Sequence, residues 1–208
     1  MRLTAYSGED EIMFYLYALA CFVLPGTLWI ILNRKKLKEN EDRFRHVFWS
    51  YIFIFYCFTA IYSAAGIGTV WDLMTYGKLD DTVNLIPFSS EGILTYALNV
   101  IMFMPLGFLL PFIWKNFRKV WKVVLVGFLM SLTIEVCQLF NFRATDIDDL
   151  IMNTLGTLLG FGCWALFRLI FRKAGDRAIN IGRLEPYVYT FGSTMGLIVL
   201  YNWRLIFI

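Results

Sequence analysis

One histidine, His46, in a chain of 208 residues removes a paired-imidazole metal site. There is no H-E-x-x-H helix and no G-x-S-x-G turn, so the common zinc-peptidase and serine-hydrolase sites lack their residues. The four cysteines, Cys21, Cys57, Cys137 and Cys163, form no C-x-x-C pair, which argues against a disulfide framework or thiolate metal site. All four fall in apolar stretches and are expected to pack as small buried hydrophobes. Charge is scarce as well: 17% of the residues are charged, 59% are hydrophobic and 18% aromatic. A soluble domain is only about half apolar. No secretory leader is expected, because the first apolar stretch follows Gly8-Glu9-Asp10-Glu11 and runs into a basic loop rather than a small-residue cleavage site.

What is present is a series of long apolar runs. Cutting the chain at its charge clusters leaves stretches at 11–32, 47–70, 92–114, 120–141, 150–170 and 186–206. Most approach the ~20 residues with which a helix crosses a bilayer. The expected fold is all-α: one polytopic membrane bundle of about six transmembrane helices over 1–208, in a bacterial cytoplasmic membrane. Strands are not expected, since open sheet edges cannot be satisfied in lipid. His46 is assigned to a charged loop at the end of the second span, away from catalysis or ligand binding.

Basic residues sort to one side. Six lie in loop 33–46 (Arg34, Lys35, Lys36, Lys38, Arg43, Arg45), four after the third span (Lys115, Arg118, Lys119, Lys122) and five around 168–183 (Arg168, Arg172, Lys173, Arg177, Arg183); the other four are Arg2, Lys78, Arg143 and Arg204. The positive-inside rule makes the three basic connections cytoplasmic and both termini extracytoplasmic. Anchoring to anionic lipid accounts for these cations without nucleic acid as a partner.

The opposite side is acidic, and its polar residues reach into the spans. Glu135 and Asn99 each lie seven residues, ~10 Å, below the outer ends of their helices. Ser131, Glu135 and Gln138 share one helix face; Asp146, Asp149 and Asn153 share another if their helix starts early enough. Asp148 and Arg143 complete the corner. Intramembrane acids mark functional sites by default, although Glu135 pairing with Arg143 or Gln138 would also serve to hold a bundle. Thr145-Asp146-Ile147-Asp148 fits a helix start with Thr145 as cap. Arg143, basic on the acidic side, is an ion-pair partner or an anion hook. Asn84 and Asn99 are either interhelical hydrogen bonders or part of the same site. Pro105 and Gly107 argue for a kink and a cavity in the third span. Gly156 and Gly160 have the spacing of close helix packing. Leu85, Ile86, Pro87 and Phe88 make an outer loop apolar enough to dip into the interface.

The segments VNLIPF (83–88), NVIMFMPLGFLLP (99–111) and SLTIEVCQLFNFRATDIDDLIMNTLGTLLG (131–160) resemble the VanZ-like family of bacterial membrane proteins. The core of the resemblance runs from about 83 to 160. It implies an association with resistance to the lipoglycopeptide teicoplanin. The motif positions are Asn84, Pro87, Asn99, Pro105, Gly107, Ser131, Glu135, Gln138, Arg143, Asp146, Asp149, Asn153 and Gly156. Three readings follow. In the first, a non-enzymatic envelope protein binds a lipid headgroup or lipid-linked cell-wall precursor in an outer-leaflet polar cavity lined by Asn84, Asn99, Ser131, Glu135, Gln138, Arg143, Asp146, Asp149 and Asn153, with the lipoglycopeptide itself as a further candidate partner. In the second, a membrane enzyme acts on a lipid phosphate, with Glu135 as general base and Asp146 and Asp149 holding a divalent cation. In the third, the protein is a scaffold without catalysis.

Overall fold

The computed structural model describes residues 8–65, 83–88, 92–139, 145–172, 178–179 and 181–201. The molecule is an all-α bundle. Its elements are α1 (Gly8–Leu32), the short α2 (Arg34–Lys38), α3 (Arg43–Ala64), α4 (Ile93–Ile113), α5 (Val120–Leu139) and α6 (Ile147–Ile170). A helical run closes the described chain, with π-helical turns at Val188–Gly192 and Leu197–Tyr201 on either side of Ser193–Gly196. Among the described residues five helices (Ile12–Leu32 within α1, and all of α3, α4, α5 and α6) are long and apolar enough to cross a membrane. The sixth expected span begins one residue before its expected start, at Glu185, and continues to Tyr201 among the described residues.

Close packing organises the centre of the bundle. A Cβ on Gly156 would lie inside the Val100 carbonyl, one on Gly160 inside the Met104 carbonyl, and one on Gly107 inside the Thr157 carbonyl. The three glycines therefore let α4 and α6 touch backbone to backbone, as expected for small residues at a membrane helix interface. Pro105 lies within α4 and leaves the Ile101 carbonyl without its intrahelical donor. The Tyr56 hydroxyl donates to the neighbouring carbonyl, Met102 O, at 2.8 Å and ties α3 to this part of α4. Phe53, Phe58, Phe103, Leu106 and Leu110 fill the core, while Leu16, Leu28, Phe55, Leu98 and Leu166 stay exposed on the outside of the helices, where a bilayer would cover them.

The helical run antiparallel to α1 is seated by Gly196, whose missing side chain gives room for Pro25 and the Cys21 carbonyl. Tyr17 OH donates to Leu200 O at 2.9 Å. Thr194 Oγ1 donates back to the Thr190 carbonyl at 2.7 Å.

Several sequence expectations are corrected. Two-residue strands do form: β1 (Val83–Asn84) and β2 (Thr145–Asp146) pair in parallel, Val83 with Thr145 and Asn84 with Asp146. They join two loops rather than exposing a sheet edge. His46 is not in a loop; it lies in the first turn of α3 and is buried. The helix starts four residues before the expected 47 because the turn Arg43-Phe44-Arg45-His46 is polar yet helical. Cys21 and Cys57 are buried, but Cys137 is half-buried and Cys163 exposed, on the outer face of α6.

Candidate functional site

The cap of α6 builds the corner. Thr145 does not cap this helix. Asp146 stands at the N-cap with extended backbone, and its Oδ1 accepts from Asp148 N at 2.9 Å. The Thr145 hydroxyl donates instead to the Glu135 carbonyl at 3.3 Å. A carboxylate at the N-cap and two more in the first turn, Asp148 and Asp149, suit the positive end of the helix. Because Asp146 precedes the helix, only Asp149 and Asn153 share a face of α6.

From this cap hydrogen bonds run to three other elements. Asp146 N donates to Glu135 Oε2 on α5 at 3.1 Å. Asn84 Nδ2 donates to Asp146 Oδ2 at 2.9 Å. The Asp148 carboxylate, fully buried, accepts the Phe88 amide through both oxygens at 2.8 and 3.0 Å and the Tyr96 hydroxyl from α4 at 2.8 Å. Asn99 Nδ2 donates to Asp149 Oδ1. Glu135, Asp146 and Asp148 are buried, whereas Asn99 and Asp149 are half-buried and form the open edge.

One turn deeper, Asn153 Nδ2 donates to Ser131 Oγ at 2.9 Å, and the Thr157 hydroxyl donates to the Asn153 carbonyl at 3.0 Å. Both Asn153 and Ser131 are buried. Gln138 turns away from the corner: its Nε2 donates to the Ala64 carbonyl at the end of α3, at 3.2 Å. The structure thus brings together Asn84, Asn99, Glu135, Asp146 and Asp149, places Ser131 and Asn153 beneath them, and sends Gln138 to a different helix. Arg143 lies outside the described residues.

Asp146 and Asp149, the candidate cation ligands, both carry hydrogen bonds from protein donors: both Asp146 oxygens accept, and Asp149 accepts from Asn99. Among the described residues no three His, Cys, Asp or Glu side chains converge as metal ligands.

Two groupings are not apparent from the sequence. Tyr96 is three residues from Asn99 on α4, a polar pair in an apolar helix, and that spacing was the available signal. At the opposite, basic end, Glu185 is 1% exposed and accepts from His46 Nε2 (2.9 Å), Trp114 Nε1 (2.9 Å) and Tyr189 OH (2.8 Å). A lone acid opening the last apolar stretch and a lone histidine were the only hints of this cluster.

This part of the chain is similar to known sequences. A sequence model described as VanZ/LLP1 matches residues 48–168. Protein VanZ of Enterococcus faecium is 39% identical over 103 residues, a region that covers 47% of this chain. The match spans 62% of that protein, less than two thirds of its length. No solved structure matches.

Proposed function

The chain belongs to the VanZ/LLP1 family of multi-pass membrane proteins, and from that premise we propose that it is a cell-envelope protein of the bacterial cytoplasmic membrane that binds a lipid headgroup or lipid-linked cell-wall precursor at its acid corner. The observation that carries this reading is the half-buried edge at Asn99 and Asp149, backed by the closed carboxylates of Glu135, Asp146 and Asp148. A headgroup offering hydroxyl or ammonium donors meets acceptors there. Arg143, three residues before Asp146 in sequence, is the cation this reading assigns to the phosphate, by a charge-assisted hydrogen bond. Ile93, Leu94 and Leu98, exposed along α4 beside Asn99, lie where an acyl or prenyl tail would run. Occupation of lipid-linked precursors, or a change in the lipid around them, is the route by which such a protein would blunt teicoplanin, a drug with a lipid tail of its own.

The test is teicoplanin susceptibility of a Gram-positive host expressing wild type, Glu135→Gln, Asp149→Asn or Arg143→Ala at matched membrane levels. Protection by the wild type that is lost in the variants is the expected result. Equal protection by wild type and all three variants would remove the corner from the function. No protection by the wild type would detach this chain from the resistance phenotype.

A further inference from the structure

The segment from Val83 to Phe88 reverses the usual behaviour of a surface loop. Its side chains point out: Leu85 is 70% exposed, Ile86 68% and Phe88 64%. Its backbone is held by protein. Val83 and Asn84 pair with β2, Ile86 N donates to Asn84 Oδ1 at 3.1 Å, and Phe88 N donates to Asp148. Phe88 also adopts φ 60°, the left-handed region that a bulky residue avoids unless its surroundings impose it. The imposing group is Asp148, fully buried and itself fixed by the Tyr96 hydroxyl.

A loop in water solvates its amides and turns apolar side chains inward. Apolar side chains outside and amides satisfied by protein is what backbone at membrane depth requires. The same exposed apolar surface continues onto α4, a helix long and apolar enough to span a membrane, through Ile93, Leu94, Leu98 and Ile101. The Phe88 and Tyr96 rings meet edge to face with centroids 6.2 Å apart, so the segment lies against the first turns of that helix. No charged residue occurs between 83 and 88 to oppose burial in lipid.

We propose that Val83–Phe88 is a strap inserted into the membrane interface, with Leu85, Ile86 and Phe88 against the acyl chains of the leaflet at the acid end, and that Asp148 is its anchor. The aspartate replaces water as the partner of the Phe88 amide at a depth where water is scarce. This assignment is independent of what the corner binds.

Thiol labelling tests it, because maleimide reacts with the hydrated thiolate. Leu85→Cys and Ile86→Cys are treated with a membrane-impermeant maleimide in right-side-out and inverted vesicles, with the native cysteines of the wild type as background. Glu39→Cys, on the exposed end of the basic loop, is the reference for a watery position. The strap cysteines are expected to label about tenfold more slowly than Glu39→Cys from either side, since a thiol in lipid holds little thiolate, and to label fully after denaturation in detergent. Labelling at the reference rate from either side would overturn insertion. Adding Asp148→Ala, which removes the acceptor of the Phe88 amide, or Asp148→Leu, which also fills the space, to Ile86→Cys should raise strap labelling severalfold in protein that stays monodisperse. Unchanged labelling in both monodisperse variants would overturn the anchor.

Discussion

The Glu185 carboxylate shows how one side chain can organise an end of the bundle. It takes hydrogens from His46 on α3, from Trp114 at the end of α4 and from Tyr189 a turn further along its own helix. The His46 and Trp114 rings also meet edge to face at 6.2 Å. Three donors on a carboxylate that is almost wholly enclosed satisfy it without water. The cost of removing it is therefore the cost of stranding its donors. Glu185→Ala should destabilise the protein by at least about 1–3 kcal/mol, the cost of one buried donor left unsatisfied. Glu185→Gln keeps the shape but turns an NH2 toward donors, so it should also lower the thermal midpoint in detergent, by less than the alanine. A midpoint unchanged in both variants would mean that the cluster contributes nothing to stability. His46→Gln, which keeps a donor, should fall nearer to wild type than His46→Ala.

At the scale of elements, the α4–α6 contact fixes the geometry of the acid corner, because it decides how near Asn99 comes to Asp149. The two helices approach only as far as Gly107, Gly156 and Gly160 allow. Gly156→Ala would put a methyl group into the Val100 carbonyl and force the helices apart, at a cost of about 1–3 kcal/mol for overpacking. Gly162→Ala, on the same helix but facing open space, removes a flexible residue without a clash and should be neutral or stabilising by about 0.5–1 kcal/mol. Thermal unfolding of the two variants side by side separates packing from helix propensity; equal midpoints would mean that the interface yields. The helices themselves were legible from hydropathy, since a bilayer demands continuous apolar runs. Their starts were less so. α3 and α6 begin at Arg43 and Ile147, ahead of the expected 47 and 150, because polar first turns belong to the helix yet lower its hydropathy. The carboxylates of the corner were legible because acids at membrane depth are conspicuous. The place of Asp148 in that corner was legible, but its role was not, for its main partner is a backbone amide, and amides carry no sequence signature. The His46–Glu185 pair spans 139 positions, a separation that no local pattern reports.

The whole molecule has two chemically different ends, and its internal contacts decide which segments share them. Tyr15 packs on Tyr62 with ring centroids 5.2 Å apart, and Gln138 holds the Ala64 carbonyl, so the start of α1 lies at the end of the bundle where α3 and α5 meet the acid corner. The last helical run leaves Glu185 at the basic end beside His46 and Trp114, passes Pro25 at Gly196 and reaches Tyr17 at Leu200. It thus travels antiparallel to α1, in the direction of the acid side. The start of α1 lies at the acid end and the last run heads toward it, away from Arg34, Lys35, Lys36 and Lys38 of α2. The positive-inside rule assigns the α2 side to the cytoplasm. A reporter that is active only in the cytoplasm should therefore be silent when fused after Ile208 and active when inserted at Asn40, between α2 and α3. Activity at Ile208 with silence at Asn40 would invert the molecule and turn the acid corner toward the cytoplasm. Activity at both positions would break the antiparallel pairing of the last run with α1, a relation that the Gly196–Pro25 contact makes hard to lose. Gly196→Leu, which fills that contact, supplies the internal check: by overpacking the seat on α1 it should lower stability by about 1–3 kcal/mol while leaving the reporter pattern unchanged, because side selection follows the basic loops rather than the packing of one helix.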